Sequence, residues 1–198
     1  MVVVEPDPDS REVVALLEAA LVDSGLTQAE FASALGTSGS RFSTYRSGAT
    51  RPTAVFCFRA RRIGRALAAA RGSRLMSAPE TSKAIRQAGD EEWAWRMLLQ
   101  GRDHLRLLLE RADGSAAAWE AAPPGTKSLG MDTLLAALAR CEFERAGVEP
   151  PAWAAPRRLP QPWVPEHPFL DREQVIAQTP GFLRELNVFV PVRDLVTA

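Results

Sequence analysis

At 198 residues, 46% hydrophobic and 24% charged, the chain has the makeup of a globular protein with one large core or two small ones. It holds no run of about 18 apolar residues, which excludes a membrane span, and its start, MVVVEPDPDS, lacks the basic region and long apolar core of a secretion signal; its two cysteines lie far apart without a CxxC pair, so a reducing cytoplasmic setting is expected. The net charge is zero but segregated: Thr27–Leu75 carries nine arginines against one acid, Glu30, a local excess of +8 that points to a nucleic-acid-facing segment, or else to a solvated Arg-rich helix.

Residues 1–9, with two prolines and three acids, read as a disordered arm. Ser10 is a candidate N-cap, and Val13, Val14, Leu16, Leu17, Ala20 and Leu21 follow at helical spacing until Ser24-Gly25 ends the helix. Thr27 caps a second helix with Glu30 three residues on, the spacing of a capping box. Its apolar face is Leu26, Phe31, Ala32 and Leu35, and Gly36 stops it.

The next stretch, LGTSGSRFSTYRSGATRP, poses a choice between a phosphate-cradling loop and a helix. A Walker-type loop needs a lysine and a preceding buried strand, and both are missing. Ser38 instead caps a third helix that runs to about Ser47 and closes on Gly48. Phe42 and Tyr45 supply a narrow inward seam. Gly39, Ser40, Arg41, Ser43, Thr44 and Arg46 cover the rest, a face that suits a groove better than a core. Thr53 opens a long fourth helix to Gly72, with Val55, Phe56, Ala60, Ile63 and Leu67 on one side and Arg59, Arg62 and Arg65, beside Arg61, on the other.

An acidic second half follows Ser77-Ala78-Pro79. Residues 79–149 read as a helical domain: Trp93, Met97, Leu98, Leu105, Leu108 and Leu109 mark one helix, AAWEAAPPGTKSLG a loop, and MDTLLAALARCEFERAG another helix. From Pro150 to Pro168, seven of nineteen residues are proline, interleaved with Trp153 and Trp163, which predicts an extended strap too apolar to float free. A helix interrupted near Pro180 and a short terminal strand, kept to an edge by Pro191, complete residues 150–198.

Residues 26–63 resemble the helix-turn-helix domain of lambda-repressor/Cro (Xre-type) regulators. Leu26, Thr27, Gln28, Phe31, Ala32, Leu35, Gly36, Thr37 and Ser38 match the first half of that pattern, and Phe42, Tyr45, Gly48, Arg51 and Pro52 the second. The departure is Arg46-Ser47-Gly48, where the family often has Glu-Asn-Gly; losing that acid is expected to add positive charge where phosphates pass. The resemblance implies a mainly α protein with a five-helix lambda-repressor-like DNA-binding domain over 10–75, binding double-stranded operator DNA as a homodimer. It implies that Gly39, Ser40, Arg41, Ser43 and Thr44 face bases, Arg41 being suited to a guanine edge, and that Thr27, Gln28, Arg46 and Arg51 contact phosphates. Helix capping alone would equally account for Thr27 and Gln28, and an ordinary surface position for Arg41.

The second half is similar to C-terminal halves of actinobacterial antitoxin-like helix-turn-helix proteins, carried by WRMLLQGRDHLR, MDTLLAALARCEFERAGVEPPAW and LNVFVPVRDL. That likeness implies an antitoxin that represses its own operon and grips a toxin protein through residues 79–198, by wrapping it with the strap and extending its sheet; otherwise the strap packs on its own helices. No enzyme is expected. His104 and His167 lie apart from any serine or cysteine motif, and no HExxH, GxSxG or GxGxxG occurs. Cys57 and Cys141 form no CxxC pair and read as small buried hydrophobes, so neither a metal nor a cofactor is expected.

Overall fold

The computed structural model describes residues 7–196 and is mainly α. The first helix, α1, spans Pro8–Ser24 and begins earlier than expected. Proline suits the first helical position, where its missing N–H costs nothing. Asp7 is the cap: its carboxylate accepts from Ser10 N at 3.1 Å and from the Ser10 hydroxyl at 2.7 Å. Ser10 itself is buried inside the first turn. Of the arm expected over 1–9, residues 1–6 lie outside the described residues, and Asp7–Asp9 belong to the helix and its cap.

Helices α2 (Gln28–Ala34), α3 (Gly39–Arg46) and α4 (Ala54–Gly72) start at Thr27, Ser38 and Thr53, each of whose hydroxyls accepts from a backbone N–H three residues on. Residues 10–75 therefore hold four helices where the resemblance implies five. After α4 the chain leaves helical geometry at Ser73, and Arg74 takes a positive φ of 57°. Helices α5 (Ala78–Gln87) and α6 (Glu91–Arg111) follow.

Two contact units divide the chain, and neither is a continuous stretch. The first joins the chain up to Glu80 with Leu107–Pro124. Its core gathers Leu17, Phe31, Phe42, Ile63 and Leu67, together with Ala117, Ala118 and Ala121 from the later segment. From Ala117 on, that segment reads as a loop in the sequence. It instead forms a 3-10 helix, Ser115–Trp119, with Trp119 fully buried and donating from Nε1 to Met76 O at 2.8 Å. Ala122 N donates to Ala34 O at 3.0 Å. α1 and α4 approach closely at Gly64, which faces the Ala20 backbone. Val55, expected on the apolar side of α4, is 75% exposed, because Cys57, Ala60, Ile63 and Leu67 set the buried face one step round.

The second unit is Thr81–Arg106 with the chain from Gly125 on. Helix α7 (Leu129–Arg145) is buried at every position from Thr133 to Ala139. The proline-rich stretch lies along the tail of the same unit: Leu159 N donates to Leu186 O, Trp163 N to Asn187 O and Phe189 N to Trp163 O. The Trp163 ring covers Gly130, where no side chain would fit. Helices α8 (Arg172–Gln178) and α9 (Gly181–Arg184) meet at Thr179-Pro180. The expected terminal strand is not formed. Among the described residues pairing is limited to one isolated parallel bridge, Trp163 with Val188, and Val192–Leu195 is a 3-10 turn after Pro191. Proline-rich neighbours lack the N–H groups a ladder needs. Among the described residues no helix is long and apolar enough to cross a membrane.

Candidate nucleic-acid interface

The α2–α3 region is built by local sequence. The Thr27 hydroxyl accepts from Glu30 N and donates to Glu30 Oε2 at 2.7 Å, while Thr27 N donates to the same carboxylate at 2.9 Å. Gly36 turns the chain with φ of 74°, and Ser38 Oγ then accepts from Arg41 N at 3.2 Å to start α3. The polar outer face of α3 cannot hold it in place. Phe42 and Tyr45 do so: Phe42 meets Phe31 edge to face at 5.7 Å, and Tyr45 lies 5.2 Å from the Phe56 ring.

With those two rings buried, Ser40, Arg41, Ser43 and Thr44 are exposed and Gly39 is half-exposed. A methyl group added at Gly39 would meet nothing within 4 Å. These five sequence-predicted positions thus occupy two turns of one accessible helix. Arg41 is aimed. Its Nε donates to Tyr45 Oη at 2.7 Å and its guanidinium lies 5.8 Å from that ring's centroid, so the two terminal amino groups extend beyond the anchor. The Thr44 hydroxyl donates to Arg41 O at 2.8 Å, and the Ser38 and Ser40 hydroxyls share a 3.1 Å hydrogen bond.

The expected phosphate contacts divide. Thr27's hydroxyl is committed to its capping box. Arg46 is also committed: it grips Glu18 of α1 through two hydrogen bonds, at 2.8 and 2.7 Å, and donates to Gln28 Oε1. Glu18 neutralises the positive charge that loss of the family's acid was expected to add at this place. Gln28, with its oxygen held by Arg46, keeps its amide NH2 as the end able to donate. Arg51 is 76% exposed and pairs with Asp7. An exposed pair of this kind contributes little and exchanges readily with another anion.

The +8 excess is therefore not a uniform patch. Arg62 pairs with Glu120, and Arg71 donates to Asp23 O and Ser24 O, carbonyls at the end of α1. Arg41, Arg59, Arg61, Arg65 and Arg74 have no carboxylate partner among the described residues. Glu18 and the Tyr45 hydroxyl are functional groups that sequence reasoning missed. The available signal for Glu18 was an acid on the first helix with no base one turn away on either side.

Elsewhere the buried Glu142 carboxylate accepts from both Arg106 and Arg145. Burial pushes the His104 pKa down against the opposing pull of Asp103. His167 Nδ1 accepts from Phe169 N and Leu170 N, and its Nε2 lies 3.2 Å from Asp194. Burial raises both thiols, Cys57 and Cys141. Among the described residues no group of three or more His, Cys, Asp or Glu is placed to hold a metal ion. No protein-family model, curated protein or solved structure matches the chain.

Proposed function

We propose that the chain is a sequence-specific DNA-binding transcriptional repressor, with α3 entering the major groove. The observation that carries this reading is the outward row of Ser40, Arg41, Ser43 and Thr44 on a helix whose apolar side chains, Phe42 and Tyr45, are both buried. Arg41, braced by Tyr45, offers a guanidinium fork matched to guanine O6 and N7. Gln28 and Arg51 serve as backbone anchors. One such helix reads few base pairs, so the operator-bound form is a homodimer on half-sites about 10 base pairs apart. The likeness of the second half to antitoxin-like proteins extends the proposal: the chain autoregulates its operon as an antitoxin and binds a toxin through residues 79–198.

A second reading, a protein–protein interaction module with a helix-turn-helix fold that does not bind DNA, draws on the internal pairing of Arg46, Arg51 and Arg62. Fluorescence anisotropy separates the two, using DNA from upstream of the gene against scrambled DNA of equal composition, at two salt concentrations. The repressor binds its own DNA more tightly, with a steep salt dependence. Arg41→Ala costs about 1–3 kcal/mol and relaxes one base position, whereas Arg51→Ala weakens all sequences alike. Weak and equal binding to both DNAs sinks the repressor reading. Co-expression with the neighbouring gene's product tests the antitoxin part separately.

A further inference from the structure

Away from α3, the outer stripe of α4 forms one wall of a cavity of about 490 Å³. Phe58, Arg61, Arg62, Arg65 and Ala69 recur at spacings of three and four, so they share the face opposite Ala60, Ile63 and Leu67. The facing wall is the turn Asp113–Gly114–Ser115, held by Gly114 at φ of 85°. The volume lies within the range of roughly 300–1,000 Å³ typical of small-molecule sites. All of these residues belong to the first unit.

The charges within the cavity are unevenly matched. Arg62 is committed to Glu120, with a 3.1 Å hydrogen bond from Nε. Arg61 lies over the Phe58 ring, 5.4 Å from its centroid, and Phe58 is 56% exposed. Arg61 and Arg65 have no carboxylate partner among the described residues. The Asp113 carboxylate is turned to its own loop, accepting from Ser115 N at 2.9 Å. The buried Ser115 hydroxyl lies beside that carboxylate and, together with the Ser115 N–H, holds its pKa down. Two cationic forks and an exposed aromatic ring thus line one concavity.

We infer that this cavity binds a small phosphorylated ligand, with Arg61 and Arg65 on the phosphate and Phe58 against a flat apolar group such as a nucleobase. Guanidinium forks match phosphate oxygens in pairs, and two separate forks suit a doubly charged phosphomonoester better than a single carboxylate. The concave shape favours a small molecule over the backbone of a DNA duplex. The inference does not depend on α3 binding DNA.

Isothermal titration of the full chain with adenosine monophosphate, adenosine and inorganic phosphate tests it. The expected result is saturable binding of adenosine monophosphate with one site per chain, weaker binding of inorganic phosphate and none of adenosine. Arg61→Ala with Arg65→Ala should weaken adenosine monophosphate about tenfold or more, Arg61→Lys with Arg65→Lys should recover part of that loss, and Arg140→Ala in the second unit should change nothing. The assignment is overturned if adenosine monophosphate shows no saturable binding, or if the double alanine variant binds it as the parent does. It is also overturned if that variant loses DNA affinity as severely as Arg41→Ala does without affecting the nucleotide, because the arginines would then be backbone contacts.

Discussion

Arg46, the last residue of α3, closes a two-pronged salt bridge on Glu18 of α1, with Nε–Oε1 at 2.8 Å and Nη2–Oε2 at 2.7 Å. The pair spans 28 residues of sequence, and the arginine side chain is only 25% exposed. It fixes the end of the exposed helix to the body of its unit and, through Gln28, to the start of α2. Fork-to-carboxylate geometry sets it above an ordinary surface pair, so Arg46→Ala or Glu18→Ala should each cost about 1 kcal/mol. Thermal unfolding of both single variants, the double alanine variant and the charge-swapped pair measures the coupling. Effects that simply add, with no recovery in the swap, would show that the bridge contributes nothing.

Gly64 tests the close approach of α1 and α4. A Cβ there would lie 2.5 Å from Ala20 O and 3.1 Å from Ala20 Cα. Both obstacles are backbone, so neither can rotate away. Gly64→Ala gains about 1 kcal/mol of helix propensity but forces the helices apart, at a cost of about 1–3 kcal/mol. The net change should be destabilising. Gly39→Ala is the matched contrast, since a methyl group there meets open space and the fold should be unharmed. If the proposed repressor function holds, its effect appears in DNA affinity instead, because the added group sits on the face proposed to read bases. Equal melting temperatures for the two variants would contradict the α1–α4 contact.

Trp119 shows how a late segment completes an early one. Its fully buried ring and its hydrogen bond to Met76 O place it in the unit that contains α1 to α4. Trp119→Ala should cost about 3–5 kcal/mol, and Trp119→Phe less, since it keeps most of the ring volume and loses one hydrogen bond. The stronger prediction concerns place. Hydrogen exchange of Phe31, Phe42 and Ile63 amides should accelerate in Trp119→Ala, although these residues lie more than fifty positions away in sequence. Protection unchanged at those three amides would refute the joint core.

What could be read from the sequence was what neighbouring residues decide among themselves. The caps at Thr27, Ser38 and Thr53 and the stop at Gly25 depend on groups three or four positions apart, and each stands where its spacing places it. So does the inward seam of Phe42 and Tyr45, which follows from two aromatics in an otherwise polar helix. Partners distant in sequence left no such trace. Glu18 with Arg46, Trp119 with Met76 and Glu120 with Arg62 are chosen by how the helices meet, and the charge count of Thr27–Leu75 could not show which arginines are already paired. The terminal run failed for a related reason. Asn187–Val190 has strand-like composition, but a strand needs a partner with free N–H groups, and the neighbouring stretch is rich in proline.

Asp7 gives the fold a dependence on acid. Its carboxyl is held down to about 2 from an ordinary 3.8, first by the Ser10 hydroxyl, then by the Ser10 N–H, with Arg51 contributing less. A carboxylate whose pKa is lower in the folded chain stabilises that chain fully above its unfolded value. The stabilisation falls away as pH drops from about 4 through 2. Asp7→Asn keeps a cap acceptor but removes the charge, so its melting temperature should lie closest to the parent's at the acid end, near pH 2, where the parent's cap is about half protonated, and furthest below it above pH 4. Arg51→Ala should leave most of the parent's acid sensitivity in place, because Ser10 is the larger cause. Melting curves of the three proteins between pH 7 and 2 decide the matter. A gap between Asp7→Asn and the parent that stays constant over that range would mean that the ionised cap does not favour the folded chain.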